Sequence, residues 1–416
     1  MSSRRILITG ISSDTGGLLA QVLEGARDVD VVVGVDTKDP RHEFQRTEFV
    51  RVDTEEALLR RIVTAAAIDT VIDTRLIADP LAAPRGDRVQ EVNVVETRNL
   101  LAACEGSPVR RIVFKSAARY YGCDQDDPAF FTEDMGRAHP PRTPLERDIV
   151  EAEEALREFA SANPNIAVAS LRCADVIGAE LRGSHLTLLG LPVIPAILGF
   201  DPRWQFVHHD DVIGALAYAA RHELQGVYNV AADGVLALSE VASLLGKPLL
   251  PVLPPWGTVF AGAQLRRIGL PVPVELLREL RFGRGLDNRR LKSSGYEFRY
   301  TTREAVLKLR AQQRLRPLLR SGSDSYRYER EVEAFLRWSP SVRSAAPREP
   351  PAASAAGNGP RSFDELSEGE LIELISSLEP DALRRLRTYE SSHARRERVL
   401  DALDQHLARL GSTERG

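Results

Sequence analysis

Up to about residue 125 the chain alternates short β-branched runs with helical stretches, and this alternation restricts the possible fold more than any other feature. The runs are Arg5–Thr9, Val29–Val35, Glu48–Val52, Thr70–Asp73 and Arg111–Lys115. Between them lie Gly16–Leu23, Glu55–Ala67 and Asp87–Cys104, each with apolar residues at helical spacing. Strand–helix alternation of this kind predicts an α/β fold, a Rossmann-type doubly wound parallel sheet with helices on both faces. A further helix over about Pro144–Ser161 and a strand over about Ile166–Arg172 continue the pattern.

With 416 residues, 43% of them hydrophobic, the chain is long enough for a sizeable core and an appendage. The body is expected over residues 1–338, with the Rossmann part about 1–180 and a smaller, interleaved substrate lobe about 180–338. Residues 339–361 are dominated by Pro, Ala, Ser and Gly and read as a disordered linker. Residues 362–410 read as a helical hairpin. Its first helix is acidic (Asp364, Glu365, Glu368, Glu370, Glu373), and a second, running from Pro380 to Leu407, carries a row of arginines. So short a unit buries little alone and is expected to dock or self-associate, which makes it a candidate surface for a protein partner.

The formal net charge of −4 gives no bulk attraction for nucleic acid. Cys104, Cys123 and Cys173 form no CxxC pair, which argues against a disulfide framework or a cysteine zinc site and fits a reducing cytoplasm. No apolar run reaches the ~20 residues a membrane-spanning helix needs, and no signal-peptide pattern precedes Ile6, so the expectation is a cytoplasmic chain. The fifty arginines stand against only five lysines, Lys38, Lys115, Lys247, Lys292 and Lys308.

The first strand runs into Thr9-Gly10-Ile11-Ser12-Ser13-Asp14-Thr15-Gly16-Gly17 and then a helix. Gly10 and Gly16 stand where the first and third glycines of a dinucleotide-binding turn belong, with Ser13 at the middle position. Asp36 ends the second strand, where a carboxylate accepts hydrogen bonds from both ribose hydroxyls and repels a 2′-phosphate, which favours NAD over NADP. Asp53, followed by Thr54, ends the third strand within reach of an adenine. Asp14 adds a negative charge beside the expected phosphate position.

These segments, with NVVETRNLLAACEGSPVRRIVFKSAARYYG, FTEDMGRAHPPRTPLERDIVEAEEAL, IAVASLRCADVIG and WQFVHHDDVIGAL, resemble the extended short-chain dehydrogenases/reductases, in the NAD-dependent epimerase/dehydratase branch. The chain looks like an actinobacterial subgroup usually labelled UDP-glucose 4-epimerase homologues. The resemblance covers roughly residues 4 to 310. It implies bound NAD, Ser116 near the cofactor, a lobe that handles nucleotide sugars, and dimerisation through two helices, here Asp87–Cys104 and Pro144–Ser161. Active members carry a Ser/Thr and a Tyr-x-x-x-Lys pair. At the matching positions this chain has Ala117, with Ser116 one residue early, and Leu145 and Ile149. No tyrosine lies between Tyr121 and Tyr218 and no lysine between Lys115 and Lys247, so the pair is missing under any alignment. Where the family has a small apolar stretch beneath NAD, this chain has Asp73-Thr74-Arg75-Leu76, and Arg75 can clamp the pyrophosphate or take its place. Asp175 replaces a common substrate-contacting asparagine, which disfavours a nucleoside diphosphate.

The expectation is therefore a dinucleotide-binding pseudoenzyme, a sensor or scaffold. The alternative is an atypical nucleotide-sugar enzyme in which Ser116 and Tyr121 replace the lost acid/base. A weaker alternative is a peripheral envelope factor using the basic stretch Arg303–Arg320. His208-His209-Asp210-Asp211 resembles a metal cluster, but adjacent residues on a strand point to opposite faces, and no metal is expected.

Overall fold

In the computed structural model the described residues are 3–52, 55–82, 88–178, 181, 183–253 and 273–319, with scattered positions between 383 and 407. Asp53, Thr54, the linker and most of the C-terminal hairpin lie outside them. The chain divides into two compact units, Met1–Arg343 and Ser344–Gly416.

The first unit is built on a seven-stranded sheet. Its strands are β1 (Arg4–Thr9), β2 (Val29–Asp36), β3 (Thr47–Arg51), β4 (Thr70–Asp73), β5 (Arg111–Ala117), β6 (Ala167–Cys173) and, after four short strands of the lobe, β11 (Gly226–Val230). The lobe strands are β7 (Asp175–Ile177), β8 (Ile194–Ile197), β9 (Arg203–Trp204) and β10 (Phe206–His208). The sheet order is β11-β6-β5-β4-β1-β2-β3, and all its pairs are parallel. Except for the exposed edge strand β3, these strands are largely buried on both faces and read as Val/Ile/Leu-rich runs, which explains why the expected ends lie within about two residues of the observed ones. The order reverses between β1 and β4, and in open α/β sheets the ligand crevice lies outside the strand ends at that switch point.

Helix α1 (Asp14–Glu24) follows β1, and α2 (Glu56–Ala65) follows β3. The stretch expected as one helix over Asp87–Cys104 contains an unexpected π-helical turn, Glu91–Val95, before the α-helix Glu96–Cys104. Such turns recur at functional sites. This one holds the fully buried Asn93, whose amide clamps both backbone groups of Ile77 (2.8 and 2.9 Å). It thereby fixes the segment that leaves β4 for the crevice. The long helix Pro144–Ala162 is capped by Thr143 and starts on Pro144, as helix starts favour. Its buried face includes Leu145, Ile149, Ala152 and Leu156, which join Ile112, Phe114 and Val168 in one of the two cores flanking the sheet.

The lobe has its own core around Trp204, Phe206, Leu238 and Leu276. The basic helix Thr302–Leu319 buries Ala305, Val306 and Leu309 in that core, while Leu307 stays exposed. Among the described residues no helix is long and apolar enough to cross a membrane.

In the second unit Leu383, Val399 and Leu403 are buried, and Arg387 is paired with Asp404. In one continuous helix, residues that far apart would be ~25 Å from each other. The chain therefore turns back between them, and the single second helix expected from Pro380 to Leu407 is corrected to two helical pieces.

Candidate active site

The turn after β1 is held together by its own side chains. Gly10 has φ +79°, and a Cβ there would lie 2.8 Å from Arg75 Cγ, so both backbone and space demand glycine. A Cβ on Gly16 would sit 2.2 Å from the Gly10 carbonyl oxygen. Ser13 lines the cavity, but its hydroxyl is spent on the turn. Its Oγ donates to the Gly10 carbonyl (2.7 Å) and accepts from the Gly16 N–H (3.0 Å), capping α1. A cap of this kind contributes about 1 kcal/mol.

Asp36, at the end of β2, faces this turn. Its Oδ2 accepts from the Ser12 N–H (3.0 Å) and hydroxyl (2.5 Å), and its Oδ1 accepts from the Thr37 N–H (2.7 Å). With the Lys38 N–H also reaching Oδ1 at 3.4 Å, these donors take up the roughly four lone-pair positions of the carboxylate, and a ribose hydroxyl would have to displace that longest contact. Asp14, at the start of α1, has His42 at 3.7 Å and Arg41 at 4.0 Å. The nearby His42 imidazole leads the causes that hold its carboxyl below the usual range. The charge that threatened phosphate approach is thus locally offset.

The main cavity is main by its place at the switch point rather than by size: about 290 Å³, it opens along the carboxyl ends of β1, β4, β5 and β6, while a space of about 460 Å³ lies between Asp124, Arg142, Leu277 and Arg278. Ser13, Thr15, Arg75, Lys115, Ser116 and Asp175 are among its lining residues. Arg75 is neither free nor clamping. Its guanidinium bonds both oxygens of Asp73 (2.9 and 2.7 Å) and one of Glu96 (2.9 Å), while its stem covers Gly10. Burial alone would raise the Asp73 pKa, but Arg75 and Thr9 outweigh it and hold the carboxylate ionised. Lys115 is half-buried in the cavity wall, and no ion pair or side-chain hydrogen bond holds it among the described residues. The sequence reading passed over it, although lysine scarcity was the signal that could have found it. His209, the first residue of helix His209–Arg221, bonds Thr15 Oγ1 at 3.0 Å and joins that helix to the glycine turn. Burial pushes its pKa down to about 4. The HHDD segment is a structural joint, since Asp211 accepts from the Arg299 N–H (2.8 Å) and from the Tyr300 N–H (3.3 Å).

The two residues considered as a replacement acid/base do not work together. Ser116 lines the cavity, but its hydroxyl is bonded to Glu153, which also takes Arg172 on both oxygens (3.0 Å each from Nε). Tyr121 is corrected. The 3₁₀ turn Ala118–Tyr121 drops it into the core, 1% exposed, stacked on Phe131 at 4.7 Å. Its hydroxyl donates to Asn229 Oδ1 (2.9 Å), and burial pushes its pKa up to about 12. Leu145 and Ile149, which hold the positions matched to the family's Tyr and Lys, are 7% and 0% exposed in the apolar core.

The lobe end of the cavity holds a cluster that sequence reasoning missed. Glu279 Oε1 lies 3.0 Å from both Arg119 and Arg284, and its Oε2 lies 2.8 Å from His185 Nε2. His185 Nδ1 faces Asp175 at 3.3 Å, and Arg284 stands 3.7 Å from the same carboxylate. Asp175 therefore does not present a naked charge to a ligand. Burial would lower the His185 pKa, but Asp175 and Glu279 outweigh it and raise it. Asp175, His185 and Glu279 are close enough together to hold a metal ion; the two arginines and the imidazole offset the carboxylate charges, although Glu279 Oε2 makes no hydrogen bond among the described residues.

Against known proteins, residues 6–231 match the NAD dependent epimerase/dehydratase family. A protein of Mycobacterium tuberculosis is 33% identical over 310 residues, 72% of this chain and 81% of the relative. Among solved structures, MoeE5 in complex with UDP-glucuronic acid and NAD is 21% identical with a TM-score of 0.58, covering 74% of this chain and 99% of that one. The UDP-glucose 4-epimerase of Thermus thermophilus, in complex with NAD, is 22% identical with a TM-score of 0.57, at 74% and 99% coverage. These structural likenesses reinforce the fold. The sequence match over more than half its length places the chain in the NAD-dependent epimerase/dehydratase family.

Proposed function

We propose that the crevice at the carboxyl ends of β1, β2, β4 and β5 binds NAD, and that the chain holds the dinucleotide as a sensor or scaffold without running the family's hydride chemistry at a sugar carbinol. The observation that carries the second half is the burial of Leu145 and Ile149 in the core, with no ionisable group in their place. The residues present fit the cofactor. Gly10 and Gly16 keep the turn tight against α1, whose N-terminus favours a pyrophosphate. Asp36 would take a ribose hydroxyl in exchange for its long Lys38 N–H contact (3.4 Å) and would repel a 2′-phosphate. Lys115 supplies a cation that, unlike Arg75, Arg119 and Arg284 in the same wall, no carboxylate holds among the described residues. Bound NAD would supply a hydride acceptor at its nicotinamide ring. MoeE5 and the Thermus epimerase are both described with NAD, which supports the same cofactor here.

The lobe end would take a nucleotide-sugar-like ligand, the class bound by MoeE5. Because Glu279 and Asp175 already occupy the two arginines, such a ligand would be held more through Lys115 and neutral contacts than through a guanidinium clamp. The C-terminal unit, whose sequence carries an acidic and then a basic stretch, would be the element that meets a protein partner.

Calorimetric titration with NAD⁺ and NADH, beside Asp36→Ala, tests the first half. Micromolar binding that weakens at least tenfold in the variant supports it, and no binding at millimolar cofactor removes it. A turnover assay with UDP-glucose and UDP-N-acetylglucosamine tests the second half. Conversion that disappears in Lys115→Met would replace the scaffold reading with catalysis by an unconventional lysine.

A further inference from the structure

A second cavity, of about 240 Å³, is lined by β6 and by helix Pro144–Ala162. Alternation along a strand sends Val168, Ser170 and Arg172 to the same face, and all three line it together with Tyr120, Glu153 and Val227. Ser170 and Arg172 are 6% and 4% exposed. Among the described residues neither the Ser170 hydroxyl nor Arg172 Nη1 has a hydrogen-bond partner. The Tyr121 phenol lies close enough to Arg172 to influence it, but its proton goes to Asn229. Buried donors are ordinarily paired, and leaving two unpaired at one cavity costs stability that needs an explanation.

We propose that this cavity is a second small-molecule site that takes an uncharged compound bearing a carbonyl oxygen on a compact apolar body. The carbonyl oxygen would accept from Ser170 and Arg172. The apolar body would meet Val150, Leu156, Val168 and Val227, which line the same space. The ligand is uncharged because the charges are already balanced. Glu153 takes Arg172 on both oxygens, and at the rim Glu154 pairs with Arg157 at 2.7 Å. A carboxylate ligand would place an uncompensated negative charge beside buried Glu153. The guanidinium is preorganised, with its Cζ 3.6 Å from the Tyr120 ring centroid. Glu153 also receives the Ser116 hydroxyl from the main cavity, so one carboxylate touches both spaces.

The test uses the full chain with benzamide, and with benzoate as its charged isostere, followed by saturation-transfer NMR and calorimetry. Benzamide is expected to bind saturably with a Kd of about 1 mM or tighter, and benzoate at least about tenfold more weakly. Ser170→Ala removes an unpaired hydroxyl, so it should raise the melting temperature and at the same time weaken benzamide several-fold. A purely structural Ser170 would not show this opposition. Ser170→Leu should abolish binding by filling the cavity, and if that variant unfolds, Ala160→Phe at the half-buried mouth replaces it. Absent benzamide binding, equal binding of benzoate, or benzamide binding unchanged by Ser170→Ala and by whichever cavity-blocking variant folds would overturn the proposal.

Discussion

The two ends of the main cavity are built on opposite principles. At the glycine turn, backbone and small side chains do the work. Gly10, Gly16 and the Ser13 cap close on one another, and the nearby imidazole of His209 is kept neutral by burial. At the lobe end, buried ions from distant segments neutralise one another: Arg119, Arg284 and His185 against Glu279 and Asp175. The first end tolerates little change of shape and the second little change of charge.

The largest effect expected from that contrast is at Glu279. Glu279→Ala leaves two buried guanidinium groups without their shared carboxylate and should cost about 3–5 kcal/mol, read by denaturant unfolding. A loss below 1 kcal/mol would mean the cluster is wet rather than buried. Next comes Gly16→Ala, whose Cβ would meet the Gly10 oxygen at 2.2 Å. It should cost about 1–3 kcal/mol, comparable to overpacking, although only one methyl group is added. A stabilised variant would show that the turn is looser than described. Ser13→Ala should cost about 1 kcal/mol through the lost cap, measured by thermal melting.

The pH response should be the subtlest difference, with opposite signs at the two ends. His209 has a folded pKa of about 4 against an ordinary 6.5, so the unfolded chain binds the extra proton and stability is lost as pH falls through that window. His185 has a raised folded pKa, so its contribution is complete below the ordinary 6.5 and fades as pH rises through the folded value. In a melting-temperature profile, His209→Asn should flatten the acid limb and His185→Gln the neutral-to-alkaline limb. The same limb changing in both variants would erase the distinction.

The same contrast explains what was legible in the sequence. Parallel strands buried on both faces leave continuous apolar runs, and the glycine turn is local, so β1 to β6, Gly10, Gly16 and Asp36 were readable as a string. The lobe cluster was not, because Arg119, Asp175, His185, Glu279 and Arg284 come from separate segments with no shared spacing. Tyr121 was misjudged because the 3₁₀ turn that buries it reverses the side its neighbours face. Ser13 and Asp14 read as obstacles until the structure showed what they bond. The reversal between Arg387 and Asp404 was legible after all, because no large apolar residue falls between Tyr389 and Val399, a gap the single-helix reading ran across.

Lys115 has a consequence for experiment. The chain has five lysines. The Lys292 amine is tied to Asp233 and that of Lys308 to Tyr300, both close by, while Lys247 bonds a backbone carbonyl. Lys115 alone among the five lines the main cavity. A small acylating reagent followed by peptide mass mapping would therefore turn this one side chain into an occupancy gauge. Whatever molecule fills the cleft should shield a single, easily identified peptide, and the shielding can be followed in a crude mixture before the ligand is known.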